Sequence, residues 1–360
     1  MKTIGLITNA SEHSGVGSRA YQLFRHMGKQ EDFEISFVML DGSNNSLVRL
    51  PGFLGSKSVS WIRLARRVPQ FDMYDISNQT LSFMAKKRHP SIVTVHDIIE
   101  LIDPQAPKAY LLNKYLMSGI TYADRIIAVS QYTKKTIQDY FTMDESTITV
   151  IPNGIDEAYC RIQNFKSSIA YQELLRNLKI SDRSPIVLSV GSEHPRKNMK
   201  TILGTVSLLK KQFPNILLIK VGDAGLLSGR KETLNYIDQL ALQDNVQLLG
   251  NISNELLNEL YNIADVLLFP SRHEGFGLPP LEAMAAGCPV VCSNSTSLPE
   301  VVGNGAIMHD PDDTGEFAKS IARIVSDVDF KTALLTKGKE RVKEFSWRKA
   351  AQQTLELYRL

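Results

Sequence analysis

Two carboxylates, Glu274 and Glu282, stand with seven residues between them in the stretch from Phe269 to Glu300. The intervening turn, Gly275-Phe276-Gly277-Leu278, carries little side-chain bulk, and Pro279-Pro280 follows it. Proline is suited to a first helical turn, where its missing N–H would have no intrahelical acceptor. A glycine turn that opens a helix presents oriented N–H groups to an anion, typically a phosphate. Carboxylates repel phosphate but accept from hydroxyls, and such a buried bond contributes about 1.5–3 kcal/mol. The pattern predicts a site for a phosphorylated polyol, with one carboxylate on a ribose and the other on a sugar. An apolar strand, Ala264 to Phe269, leads into it, and a small-residue helix, Leu281 to Ala286, leads out.

Other residue types fit the same chemistry. In Val190-Gly191-Ser192-Glu193-His194-Pro195-Arg196-Lys197-Asn198, Lys197 is expected to face the Gly275–Leu278 turn and to neutralise a departing diphosphate. Arg196 is the adjacent candidate, with a brace for the loop as its alternative role. Ser14-Gly15-Val16-Gly17-Ser18 follows the first strand and spells G-x-G-x-x-A, with Asp41 at about the distance a dinucleotide fingerprint requires. An NAD-dependent oxidoreductase is therefore a competing reading. Against it, Asn9 to Ser14 separate the strand from the first glycine, and Phe269–Glu300 is left unexplained. Asp310-Pro311-Asp312 reads as a turn. Cys160, Cys288 and Cys292 show no paired spacing, and Cys288 and Cys292 flank an apolar strand as core residues.

Those residues need strand ends to hold them. Apolar β runs alternate with amphipathic helices from Thr3 to Ile151, loosen between Pro152 and Pro185, and restart at Ile186. Continuous apolar strands between helices imply parallel sheets covered on both faces. The expected fold class is α/β, with two Rossmann-like lobes facing a cleft and ligands at the carboxyl ends of the strands. The expected domains are 1–165 with the terminal helix 346–360, and 166–345.

The wording EGFGLPPLEAMAAG resembles the retaining glycosyltransferases of the GT-B fold, the glycosyltransferase group 1 family, also called family 4. Glu274 and Glu282 match its Glu-x7-Glu signature. The resemblance implies that Glu274 and the backbone of Gly275, Phe276, Gly277 and Leu278 hold donor sugar and phosphate, and that Glu282 holds the ribose. It implies a donor-side role for Gly15, Gly17, Arg196 and Lys197, and a terminal helix that crosses back to the first lobe. His96, in Thr94-Val95-His96-Asp97, matches a position beside the transferred sugar, where it would accept a hydroxyl or stabilise developing positive charge. Asp97 would orient His96 or cap the next segment. Ser192 stands where the family usually has a second cation.

The implied function is metal-independent transfer of a hexose, with mannose favoured, from a nucleoside diphosphate sugar to a glycan or lipid-linked acceptor hydroxyl, with retained configuration. GDP-mannose leads a UDP-sugar as donor. A catalytically silent sugar-nucleotide-binding subunit is the alternative, for which Ser192 speaks. No cofactor is expected.

Net charge is +3 over 360 residues, which gives no reason to expect a nucleic-acid partner. Between Arg49 and Pro90, however, cations dominate, and SWIRLARRVPQF interleaves apolar residues with Arg63, Arg66 and Arg67. An anionic membrane surface is a candidate partner for such a stretch. No apolar run reaches the roughly 18 residues of a membrane span, and MKTIGLITNA reads as a strand. The expected location is cytoplasmic, with the inner face of the membrane as the acceptor's place.

Overall fold

The structure, a computed structural model, describes residues 1–12, 15–40, 56–104, 107–165, 168–178, 180, 182–225 and 227–359. Ser14, Asp41 and Arg49 lie outside the described residues. The chain divides into two compact units, Met1–Gly154 with Ser346–Leu360, and Ile155–Phe345.

The first unit holds β1 (Lys2–Thr8), β2 (Phe33–Met39), β3 (Met73–Ile76), β4 (Ser91–Val95), β5 (Arg125–Ala128) and β6 (Ile148–Val150). They form one parallel sheet in the order β2-β1-β3-β4-β5-β6. The second holds β7 (Ile186–Val190), β8 (Leu217–Val221), β9 (Val246–Leu249), β10 (Val266–Phe269), β11 (Val290–Ser293) and β12 (Ile307–His309). Its parallel order is β12-β11-β10-β7-β8-β9. Strands such as β4, β8 and β10 are buried at every residue. That explains their mostly apolar wording, since helices shield both faces; Ser91, Thr94 and Lys220 are the buried polar residues among them. The sheet order reverses between β1 and β3 in one unit and between β7 and β10 in the other. Loops diverge at such a switch point and leave a crevice at the carboxyl ends of the strands.

The terminal helix, Trp347–Arg359, belongs to the first unit. Its Trp347, Ala350, Ala351, Leu355 and Tyr358 pack with Ile4, Leu23 and Met27. Each large apolar side chain so buried contributes about 1.5–3 kcal/mol. Tyr358 also donates its hydroxyl to Asp75 Oδ2 at 2.5 Å.

Two boundaries differ from expectation. The second unit starts at Ile155, before the expected 165/166 boundary, because side chains of the helix Asn254–Ile263 tie the connecting segment down. Asn258 Oδ1 accepts from the Cys160 N–H at 3.1 Å, and Asn262 Oδ1 from the Ile162 N–H at 2.9 Å. The helix after the glycine turn is Leu278–Ala285, not Leu281–Ala286, so both prolines lie inside its first turn.

The basic segment is helical over Ser56–Ala65. Trp61, Leu64, Ala65 and Val68 pack into the first unit's core, while Arg63, Arg66 and Arg67 are exposed. Trp61, Leu64 and Ala65 of this helix are therefore turned to the protein's own core. Among the described residues no helix is long and apolar enough to cross a membrane.

Candidate functional site

In the second unit β7 and β10 are neighbours across the switch point, so the loops that leave them converge. The β7 loop folds into a 3-10 turn, Pro195–Lys197, which His194 opens by accepting the Arg196 N–H. This tight turn aims two consecutive side chains at one target. Lys197 Nζ lies 2.5 Å from Glu274 Oε1, and Arg196 Nη1 lies 3.2 Å from Glu274 Oε2. Extended loops send alternate residues apart; the 3-10 turn is why Arg196 joins Lys197 here. Arg196 also donates to the His273 carbonyl, and Ser271 Oγ donates to Glu274 Oε1 at 2.6 Å. Burial alone would raise the Glu274 pKa. Lys197 and Arg196, with the bonds from Lys197 and Ser271, outweigh it and hold the group below the usual carboxylate range.

The glycine turn is oriented from β11's loop. Ser297 Oγ donates to the carbonyls of Glu274 and Phe276, both at 2.9 Å. In a trans peptide the N–H points opposite to the C=O, so the Gly275 and Gly277 N–H groups point away from the carbonyls that Ser297 holds. Gly277 caps the helix with φ 105°, and a Cβ there would meet Leu298 at 2.6 Å, so only glycine fits. Phe276 is not a ligand platform: its ring is buried against Phe345, 5.7 Å between centroids. The Glu274 N–H is taken by Thr296.

Glu282 lies one turn into the helix, half-buried, and Oε2 accepts from the Tyr261 hydroxyl at 2.9 Å. Burial raises its pKa to about 7; the Tyr261 bond opposes this, and Asp156 adds to it. Two carboxylates eight positions apart in sequence are thus pushed in opposite directions, Glu274 ionised among cations and Glu282 poised near neutrality.

A second charged cluster adjoins the first. Lys220 is buried in β8, and its Nζ donates to the Gly222 carbonyl at 3.1 Å and lies 3.7 Å from Glu193. Arg230 Nε donates to both Glu193 oxygens, at 2.8 and 2.9 Å. Burial lowers the Lys220 pKa to about 8 against the pull of Glu193. Ser189, Ser192, Lys197, Lys220, Phe269 and Ser271 line one cavity. Ser192 therefore faces a space that already has two ammonium groups on its wall.

The first unit repeats the logic at its own switch point. Asn78 Nδ2 donates to Asn9 Oδ1 at 2.9 Å and so joins the loops after β3 and β1. His96, at the end of β4, is buried, and its Nε2 is 3.1 Å from the Ser77 carbonyl. Burial, aided by Arg19, lowers its pKa to about 4 against the Ser77 bond. The ring is neutral at physiological pH. A carbonyl only accepts, so Nε2 carries the hydrogen and Nδ1 keeps its lone pair. Asp97 accepts the Ile99 N–H at 3.3 Å, in the turn just before the next helix, whose N-cap is Ile98. Gly15 opens the first helix, and among the described residues none lies within 4 Å of the place a Cβ would take there. Gly17 serves packing: a Cβ there would lie 2.0 Å from the Ser11 carbonyl oxygen.

Ser271, Thr296, Ser297 and Tyr261 escaped the sequence reading, as did the Glu193–Lys220–Arg230 cluster. The polar run Ser293 to Ser297 after an apolar strand, and a lone lysine in Leu-Leu-Ile-Lys-Val, were the available signals. Asp310–Asp312 is a turn, with Asp312 bonded to Arg272. Cys288 and Cys292 are buried and free, and among the described residues no group of His, Cys, Asp or Glu is placed to hold a metal ion.

Two Rossmann-type units of this order, with a terminal helix returned to the first, define the GT-B class of glycosyltransferases. The family model described as Glycosyl transferases group 1 matches residues 171–341, and that described as Glycosyltransferase Family 4 matches residues 14–159. The chain belongs to the group 1 glycosyltransferases.

Over 286 residues, 77% of this chain and 72% of the relative, it is 28% identical to O-antigen chain mannosyltransferase B of Escherichia coli. It is 29% identical over 278 residues, 74% of this chain, to the serotype-specific mannosyltransferase WbdA of the same organism, and spans only 33% of that protein's length. Among solved structures, Anabaena HepE in complex with UDP-glucose superposes with a TM-score of 0.80 at 19% identity and full coverage of both chains. Sucrose-phosphate synthase from Thermosynechococcus elongatus gives 0.79 at 20% identity, over 100% of this chain and 98% of that one. These likenesses show the fold.

Proposed function

We propose that the protein moves a hexose, with mannose favoured, from a nucleoside diphosphate sugar to a hydroxyl of a glycan or lipid-linked acceptor, with retained configuration and without a required metal. One observation carries the reading: Lys197 and Arg196 converge on Glu274 at the switch point, beside a helix that opens with a glycine turn. In the free protein Glu274 is the counter-ion of both cations. A bound diphosphate takes over that place and leaves the carboxylate to accept sugar hydroxyls.

As the sugar–phosphate bond breaks, charge builds on the departing diphosphate. Lys197, Arg196 and the Gly275 and Gly277 N–H groups stabilise that charge without reorganising. Glu282 accepts the ribose hydroxyls. Within the first unit His96 keeps its Nδ1 lone pair to accept from a hydroxyl. The leaving phosphate takes the acceptor's proton in a front-face attack.

Mannose is favoured because relatives along most of the chain are named mannosyltransferases. The UDP-glucose complex of HepE keeps a UDP-sugar in the comparison. A silent binding subunit is the second reading, resting on Ser192, and the pair of cations on Glu274 speaks against it. A thermal-shift panel of GDP, UDP, ADP and their sugar conjugates, with and without manganese, tests the reading. Ligand at about 100 times its dissociation constant stabilises a fold by about 2.7 kcal/mol. The expected result is one responsive base, independent of manganese and lost in Glu282→Ala. Binding with no turnover in the presence of acceptors would support the silent subunit, and no response to any nucleotide would overturn the donor site.

A further inference from the structure

Lys220 carries its charge where a sheet should exclude one. It stands in β8, a strand buried at every residue, and its side chain is 2% exposed. Its Nζ donates to the Gly222 carbonyl at 3.1 Å and to the Asp223 carbonyl at 3.4 Å. The carboxylate it pairs with, Glu193, is 3.7 Å away. Arg230 holds that carboxylate more closely, at 2.6 Å with Nη2 and at 2.8 and 2.9 Å with Nε. Asp223 is exposed, and its Oδ1 accepts the Gly225 N–H at 2.9 Å. Lys220 thus shares Glu193 with a second, better-placed cation. A buried ammonium left short of compensation is costly. As a brace for two carbonyls, an uncharged amide would serve at lower cost.

The uncompensated charge faces a cavity. Lys220 and Lys197 both line it, with Ser189, Ser192 and Ser271. They meet there because β8 pairs with β7 with Lys220 opposite Ser189, one turn of loop before Lys197. Lys197 and Arg196 share Glu274, and Lys220 and Arg230 share Glu193, so four cations face two carboxylates. The balance is positive by two charges, which suits a diphosphate joined to a nucleoside and a sugar.

We infer that Lys220 is a further residue of the donor site, holding the diphosphate by its charge across the cavity that Lys197 also lines. With its three hydrogens directed at Gly222, Asp223 and Glu193, it acts through its field and not through a bond to phosphate. Few waters separate the two, so that field is screened little. Arg230 has the complementary part: by holding Glu193 it keeps that carboxylate from neutralising Lys220. The inference rests on the donor reading above, and the measurement below separates the two.

The test is binding of GDP and UDP to the full chain by calorimetry, with guanosine and uridine measured by competition. Three proteins are compared: wild type, Lys220→Gln, and Lys220→Gln/Ser192→Lys, with circular dichroism to check folding. Glutamine keeps a donor for the loop carbonyls and removes the charge. We expect Lys220→Gln to bind the responsive diphosphate about tenfold more weakly or worse, and its nucleoside within about twofold of wild type. Ser192→Lys should restore most of the loss, since it returns a cation to the same cavity. Unchanged diphosphate affinity in Lys220→Gln overturns the inference while the donor reading stands. An equal loss for diphosphate and nucleoside, or a loss that Ser192→Lys leaves in place, overturns it too and makes Lys220 a brace of the loop. Wild type that binds neither diphosphate overturns the donor reading and this inference with it. If Lys220→Gln does not fold, wild type is titrated instead. The charged groups facing Lys220 are Glu193 and Lys197 from the β7 loop, Asp223 from its own loop and Arg230 from the helix Leu227–Gln239. Its ammonium loses its proton at about 8, so the preference for diphosphate over nucleoside should fall about fivefold from pH 7 to pH 9. A preference that holds constant over that range overturns the inference.

Discussion

Replacing Glu274 with glutamine keeps the shape of the side chain and removes its charge. Lys197 and Glu274 are 13% and 10% exposed at their side chains, so this pair is nearly desolvated, whereas Arg196 at 29% can turn toward water. Removing one member of a buried pair leaves an uncompensated charge and costs about 3–5 kcal/mol. The freedom of Arg196 puts Glu274→Gln at the lower end, about 3 kcal/mol. The Ser271 bond survives on the amide oxygen. The cost should fall on the second unit alone, and both tryptophans, Trp61 and Trp347, lie in the first. Tryptophan fluorescence would therefore miss it. Urea unfolding should be followed by hydrogen exchange resolved on peptides of residues 155–345. With a urea slope of about 2 kcal/mol per molar, the midpoint of that unit should fall by about 1.5 M.

Saturating nucleoside diphosphate should then narrow the gap between variant and wild type. The ligand supplies the missing anion, and a tenfold tighter dissociation constant in the variant returns about 1.4 kcal/mol. A loss under 1 kcal/mol, or a gap that nucleoside diphosphate leaves unchanged, would refute the counter-ion reasoning.

Two further outcomes rest on shifted carboxyls. Glu282 is raised from 4.5 to about 7, and its ionised form is the better hydroxyl acceptor; donor-sugar affinity, measured by calorimetry with the conjugate of the responsive base, should rise about tenfold from pH 6 to pH 8. That slope should vanish in Glu282→Gln, and a slope kept in the variant would place the titrating group elsewhere. Asp75 is raised from 3.8 to about 6, by burial first, with the Tyr358 bond and Arg19 opposing it. Its folded pKa lies above its unfolded one, so its favourable contribution is present below about pH 4 and lost as pH rises through about 6. Oδ1 and the Arg19 Nε and Nη2 atoms have no hydrogen-bond partner. At 1.36 kcal/mol per pH unit, Asp75→Asn should stabilise the first unit by up to about 3 kcal/mol at pH 8 and by nothing below pH 4, read as urea midpoints by tryptophan fluorescence.

The sequence by itself determined the two-sheet α/β architecture, because a strand covered on both faces is mostly apolar and a helix between strands repeats its apolar residues every three to four positions. It determined the Glu274, glycine-turn and Glu282 unit as well, since all of these lie on one short local segment whose turn and helix are set by glycine and proline chemistry. Local wording stopped short where partners come from distant segments. Whether Arg196 would join Lys197 depended on a 3-10 turn and on β10 lying beside β7. Ser297 reaches the glycine turn only because β11 neighbours β10. The ion pairs of Glu193, the tautomer of His96 and the opposite shifts of Glu274 and Glu282 depend on burial and on charges brought together by the sheet order. The arginine-rich helix followed the same rule: the sequence pointed to it as a membrane candidate, and tertiary packing turned its Trp61, Leu64 and Ala65 to the core. Pattern fixes what a segment can become; proximity between distant segments decides which charges meet and which apolar faces stay in water.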